Sequence, residues 1–230
     1  MIFYIFLIFF STNPSIKIEG EPMYFSQTKD KTQVELPKGG SLVSDEFLIE
    51  AGYLFSDYDL KGNLNVKGSN GILFSNDSYS LLAESFLFDN QTLNISGNVE
   101  GFFEDFLKFK SDTVVLDFKK NNLIFEKTIK KPLLLYRDFS LSSDFFNFDL
   151  SENFFSGKKN VQFNFSKDFD FVSGTADSFN LNMEENLVSF YEIFLNYSKG
   201  YDIKSEYVEM DIQTMEMKSN GYFELKIDND

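Results

Sequence analysis

The carboxylates of Glu21, Glu84, Asp112, Asp144, Asp177 and Glu206 recur at a spacing that could do chemistry. Aligned along one edge they would suit a divalent cation, and a close pair could act as acid and base on a glycosidic bond. Other chemistry is closed off by composition. The 230 residues include no His and no Cys, which removes Ser-His and Cys-His nucleophile systems, disulfides and nearly all zinc sites. "DYDLKG", residues 57–62, begins like a calcium loop. Its fifth position is Lys61 and its twelfth is Gly68, where an acid is required, so an EF-hand is excluded. The sequons at Asn76, Asn90, Asn94, Asn164 and Asn196 need no explanation in a chain rich in Asn and Ser. None of the six acids stands apart from its repeat. They read as a row of solvated corners, and no enzyme activity, metal or cofactor is expected.

The elements that place these acids are repeated. Each acid follows a small residue, at Gly20, Ala83, Ser111, Ser143, Ala176 and Ser205, and Ala51 marks a further copy. The gaps along the series are 31, 32, 28, 32, 33 and 29 residues. A register of this length signals stacked structural repeats. Two places before the small residue stand Ile18, Ile49, Leu81, Phe109, Leu141 and Ile203, with Gly174 breaking the rule. After the acid come Met23 and Phe25, Phe86 and Phe88, Val114 and Leu116, Phe146 and Phe148, Phe179 and Leu181, and Val208 and Met210. The second copy is weaker, with Leu54 followed by Ser56. Ser26, Asp57, Asp89, Asp117, Asp149, Asn182 and Asp211 close each phrase and are expected to start turns.

Within a phrase the period is two, which is that of a strand. The apolar residues before the acid have one parity and those after it the other, so a flat strand would aim them at opposite faces. A one-residue slip at the acid, as a β-bulge or corner supplies, returns them to one face. A second strand follows in each repeat, as in "LNISGNVEG", "LIFEKTI", "VQFNFSKDFDFVSG", "LVSFYEIFL" and "MEMKSNGYFEL". "MEENLVSFYEIFL" also places Leu187, Tyr191 and Phe194 at helical spacing; its place in the repeat favours strand. The expected object is all-β: about seven stacked, bent two-strand repeats forming one domain over residues 18–230.

The formal charge is -15 and 43% of the residues are hydrophobic. Such a charge disfavours nucleic acid and an anionic membrane surface. "MIFYIFLIFF" is too short to span a bilayer. It resembles the apolar region of a secretory signal, without the usual positive start. Residues 1–17 are therefore expected to be a signal peptide or short N-terminal anchor, the alternative being a buried first strand.

"LIEAGYLFSDYDLKGNLNVKGSNG" and "LLAESFLFDNQTLNISGNVEG" resemble the OstA-like repeats of the lipopolysaccharide-transport proteins LptA and LptC. "GNL" at 62–64 and "GNV" at 97–99 match the ending of that repeat, and the resemblance covers about residues 18–225. It implies an open, taco-like β-jellyroll in the periplasm that carries lipid acyl chains without catalysis. It also implies partners: like jellyrolls joined end to end by strand pairing, an inner-membrane transporter and an outer-membrane translocon. The lipid-groove candidates are Phe86, Phe88, Val114, Leu116, Phe146, Phe148, Phe179, Leu181, Val208 and Met210. Burying a twelve-carbon chain against such residues yields on the order of 10 kcal/mol. The same side chains could equally fill a dry core, which would make the chain a scaffold or surface protein without cargo. An open stack also leaves a strand at each end that invites another chain.

Overall fold

A computed structural model describes residues 16–89, 91–104, 107–167, 170–197 and 200–227. The expected leader lies outside these residues apart from Ile16 and Lys17, and Lys17 opens the first strand. Among the described residues there are eighteen strands and no helix, in one antiparallel sheet. The chain forms two compact units: residues 1–105 with 113–119, and residues 106–112 with 120–230.

In the first unit the strands are β1 (Lys17–Glu19), β2 (Tyr24–Gln27), β3 (Lys31–Leu36), β4 (Gly40–Val43), β5 (Leu48–Asp59), β6 (Leu64–Ser75), β7 (Tyr79–Asp89) and β8 (Thr92–Phe103). β9 (Leu107–Asp117) is divided between the units. β5, β6, β7 and β8 pair in sequence. The first half of β5 pairs with β4 and its second half with β3. β4 in turn pairs with β1, and β3 with β2. Each layer is thus one bent strand, or two short strands where the bend interrupts the ladder.

The second unit repeats this plan with β10 (Asn122–Glu126), β11 (Leu133–Tyr136), β12 (Phe139–Ser142), β13 (Phe145–Asp149), β14 (Phe154–Lys167), β15 (Asp170–Asn182), β16 (Leu187–Tyr197), β17 (Tyr201–Asp211) and β18 (Met217–Ile227). β11 pairs with the first half of β9 and with β12, while β10 pairs with β13. β12 and β13 lie on the two halves of β14, and β14 to β18 follow in order. "MEENLVSFYEIFL" forms β16, a strand, because cross-strand partners on both sides outweigh its helical spacing. "VQFNFSKDFDFVSG" is not one strand but the end of β14 and the start of β15.

The corners are where the parity argument places them. Ladder registers shift between Ala51 and Tyr53, between Leu82 and Ser85, and between Ser205 and Tyr207. On both sides of the slip the residues share the interior: Ile49, Ala51, Leu54 and Ser56 are all buried despite their opposite parity. The small residue is explained by crowding at the inside of the bend. Ser143 and Ser205 also donate to backbone carbonyls at the bend. Ser143, fully buried, donates from Oγ to Lys158 O at 2.7 Å. Ser143→Ala is expected to destabilise the fold by about 1–2 kcal/mol, because the part-buried hydrogen bond to Lys158 O is lost. Urea unfolding of the two proteins measures the difference.

The corner acids serve the next strand. Asn98 Nδ2 donates to Glu84 Oε1 at 2.6 Å, and Asn160 Nδ2 to Asp144 Oδ2 at 2.6 Å. The donors sit in left-handed backbone: φ is 84° at Gly97, 46° at Asn98, 66° at Lys159 and 54° at Asn160. Gly and Asn adopt this conformation most readily. "GNV" at 97–99 therefore forms a mid-strand corner, whereas "GNL" at 62–64 closes the turn between β5 and β6. The two look alike because both need positive φ, and they are not equivalent positions. The β6 counterpart of "GNV" is Asn70-Gly71, with φ of 66° and 88°.

The closing acids cap turns as expected in most copies. Asp149 Oδ1 accepts from Ser151 N at 2.9 Å, and Asp211 Oδ1 from Gln213 N at 2.7 Å. In the second copy Asp59 does this instead of Asp57, accepting from Lys61 N at 2.8 Å, because β5 runs two residues farther.

Candidate functional site

The ten groove candidates all point into the interiors, and each is only 0–4% exposed. Phe86, Phe88, Val114 and Leu116 belong to the first unit. Phe88 lies beside Phe47, with ring centroids 6.2 Å apart, and beside Phe118 at 6.0 Å. Phe146, Phe148, Phe179, Leu181, Val208 and Met210 belong to the second. There Phe148 stacks on Phe155 at 4.5 Å, and Phe146 meets Phe179 edge-on at 5.7 Å. In this state these side chains are a packed core.

Two glycines make that packing possible. Gly157 lies between Phe146 and Phe179 across the ladder, and a Cβ there would collide with the Phe179 ring. Gly174, the residue that broke the apolar rule, lies opposite Phe163, whose ring occupies the place of the missing side chain. A phenyl ring thus covers a glycine on the neighbouring strand, so Phe supplies volume that its partner lacks.

The apolar face is uncovered on one strand of each unit, β18 in the second and β2 in the first. On β18, Leu225 pairs with buried Ile203 and Phe223 with buried Ser205, so both face inward. With Ile227 they form an inward row that is 48–61% exposed. Within the unit, β18 pairs with β17. In the first unit Phe25 on β2 pairs with buried Val34 yet is 52% exposed. Phe25 was legible in the repeat. The β18 row was missed, although the alternation in "YFELKI" after Gly221 carries it.

Among the described residues no group of three or more carboxylates is placed to hold an ion. Glu84, Asp112 and Asp144 act as local acceptors. Asp112 Oδ2 accepts from Lys130 N at 2.8 Å, Thr128 Oγ1 at 3.0 Å and Ile129 N at 3.1 Å. The bond from Lys130, with the others, holds the Asp112 carboxyl below the usual carboxylate range. Asp144 is lowered chiefly by Asn160 and then by Lys127 and Lys131. Groups lowered on folding stabilise above their unfolded value, here 3.8, and that contribution disappears as pH falls through the folded one. Stability is therefore expected to hold from neutral pH down to the carboxylate range and to fall below it. The Asp112→Asn, Asp144→Asn double variant is expected to be less stable at neutral pH and to show a shallower acid limb. Denaturant midpoints across a pH series measure both.

A shallow groove of about 650 Å³ also runs along corners of the first unit, lined by Gly20, Gly39, Gly52, Gly71 and Ala83 among others. It is distinct from the apolar interior and holds none of the ten candidates.

No family model and no curated protein matches the sequence. Among solved structures, LptH of Pseudomonas aeruginosa, described as the LptA-homologous periplasmic component of the lipopolysaccharide transport device, aligns with a TM-score of 0.47 and 11% identity. The alignment covers 54% of this chain and 95% of that one. A likeness of that degree identifies neither family nor cargo, and the all-β fold class rests on the ladders themselves.

Proposed function

We propose that this chain is a non-enzymatic envelope protein that carries an amphipathic lipid, lipopolysaccharide or another glycolipid, between inner and outer membranes. In this reading it is one link of a bridge assembled end to end. The observation that carries it is the uncovered inward row Phe223, Leu225 and Ile227 on β18. A finished core would meet solvent through polar side chains; this one offers a greasy layer for a further layer to continue. The partners that fit are other jellyroll-type bridge proteins at the ends, with an inner-membrane transporter and an outer-membrane translocon beyond them. In this reading the apolar run within residues 1–17 is the export signal or anchor of a periplasmic protein. The ten interior residues are then the lining that acyl chains meet when the two arms of the layers part.

The test is organic extraction of the purified protein followed by mass spectrometry, together with photo-crosslinking residues at Phe148 and Leu225 in cells. Co-purifying lipid and a lipid adduct at Phe148 support the reading. A second reading, a structural β-stack with a dry core, is favoured by the burial of all ten candidates. Extracts without lipid, and no adduct at Phe148 while Leu225 still captures a partner chain, decide for it.

A further inference from the structure

The acidity of the chain is uneven. Residues 107–160 carry ten Lys or Arg against seven Asp or Glu, leaving eleven against twenty-nine elsewhere. In the second unit several of these lysines gather at one corner, where residues 127–132 connect β10 to β11. The connection is pinned. Asp112 accepts from Thr128, Ile129 and Lys130 as described, and Lys131 Nζ donates to Asn160 O at 3.0 Å. Lys127 Nζ lies 3.6 Å from Asp144 Oδ1. Lys159 joins the same corner through its carbonyl, which accepts from Asp144 N at 3.0 Å. Lys158 precedes it, its ammonium 4.7 Å from the Phe145 ring centre. Asp112 and Asp144, with Asp177 opposite the bend of β14, offset part of this charge. With Glu126, which lies beside Lys158 across Phe145, the corner holds five lysines against four acids, and the 127–131 loop itself holds three lysines and no acid.

At the tip stands Ile129, 86% exposed, the most exposed large hydrophobic residue among those described. It lies between Lys127 and Lys130 in the chain, in a loop held to Asp112 by two backbone N–H groups and the Thr128 hydroxyl. A purely solvated turn gains nothing from an apolar tip, and a soluble phosphate ligand would not contact one. Lysines flanking an exposed aliphatic side chain in one short loop suit a surface that is anionic at the top and oily just beneath. Charges more than a Debye length away, about 10 Å in 0.1 M salt, are screened, so the net charge of the whole chain does not decide the behaviour of this corner. We propose that the 127–131 loop docks on an anionic phospholipid bilayer, its lysines on headgroup phosphates and Ile129 in the acyl boundary.

The full chain is to be sedimented with phosphatidylcholine vesicles, with and without phosphatidylglycerol. Binding is expected only with phosphatidylglycerol, and it should weaken as salt rises. Lys130→Gln is expected to lower affinity about fivefold, the share of one lysine near the surface. Ile129→Ser is expected to lower it about tenfold. Both variants should unfold at the parental temperature, since the bonds to Asp112 use backbone N–H groups. No binding to anionic vesicles in 0.1 M salt, where the rest of the chain's charge is screened, or equal binding to neutral ones, overturns the proposal. So does an Ile129→Ser protein that binds like the parent, as attraction to an acidic protein or diffuse charge would allow.

Discussion

Phe146→Ala is expected to destabilise the second unit by about 3–5 kcal/mol. The side chain is fully buried and meets three other rings: Phe125 at 6.3 Å, Phe155 at 6.0 Å and Phe179 at 5.7 Å. Edge-on contacts of this kind add to the value of the buried area alone. The site also cannot heal itself. Its ladder neighbour on β14 is Gly157, which has no side chain to move into the void. The cavity therefore stays open, which places the cost toward the upper end of the range. For a domain whose total stability is about 5–15 kcal/mol, this is a large fraction. Leu60→Ala, at an exposed turn, serves as the comparison and is expected to change stability by no more than about 0.5 kcal/mol. Denaturant unfolding followed by far-ultraviolet circular dichroism measures both. A cost near that of Leu60→Ala would mean that the interior is loosely filled, as a groove held open for cargo would be.

The bent-layer architecture was legible because the phrase carries two signals that agree. The period of two announces strands, and the parity change at Asp112 or Glu206 announces that each strand turns without switching faces. Burial of Ile203, Ser205, Val208 and Met210 on one side bears this out. Corners on the return strands were not legible. Asn70-Gly71 and Asn220-Gly221 look like hairpin turns, since Asn-Gly serves any sharp reversal, and only their pairing partners reveal them as bends within long strands. Gly174 looked like an error in the repeat for a related reason. Its use is to lie under Phe163, a residue eleven places earlier, and nothing local records that contact. The site was legible only as a set of inward residues. Whether an inward residue meets cargo, core or partner depends on what covers it. For Phe148 the cover is Phe155 from the next strand; for Leu225 it is solvent.

That difference yields the largest expected effect on assembly. Phe223→Asp, Leu225→Asp is expected to leave folding intact and to abolish association through β18. Both side chains are already about half exposed, so little core is lost when they are replaced. In a joined state each would contribute on the order of 1 kcal/mol from the area still to be buried, half the value for complete burial. Adding two carboxylates to an apolar contact costs several kcal/mol more, because neither would find a partner there. The sum corresponds to at least a hundredfold weaker association. Inward-facing charge on an end strand is also the device by which natural sheets refuse edge-to-edge pairing. Sedimentation velocity of the parent and the variant, with thermal unfolding as the folding control, separates the outcomes. If the parent assembles and the variant assembles equally well, β18 is not the joining face. If the variant loses assembly and keeps its melting temperature, the open row is the joint through which a further layer continues.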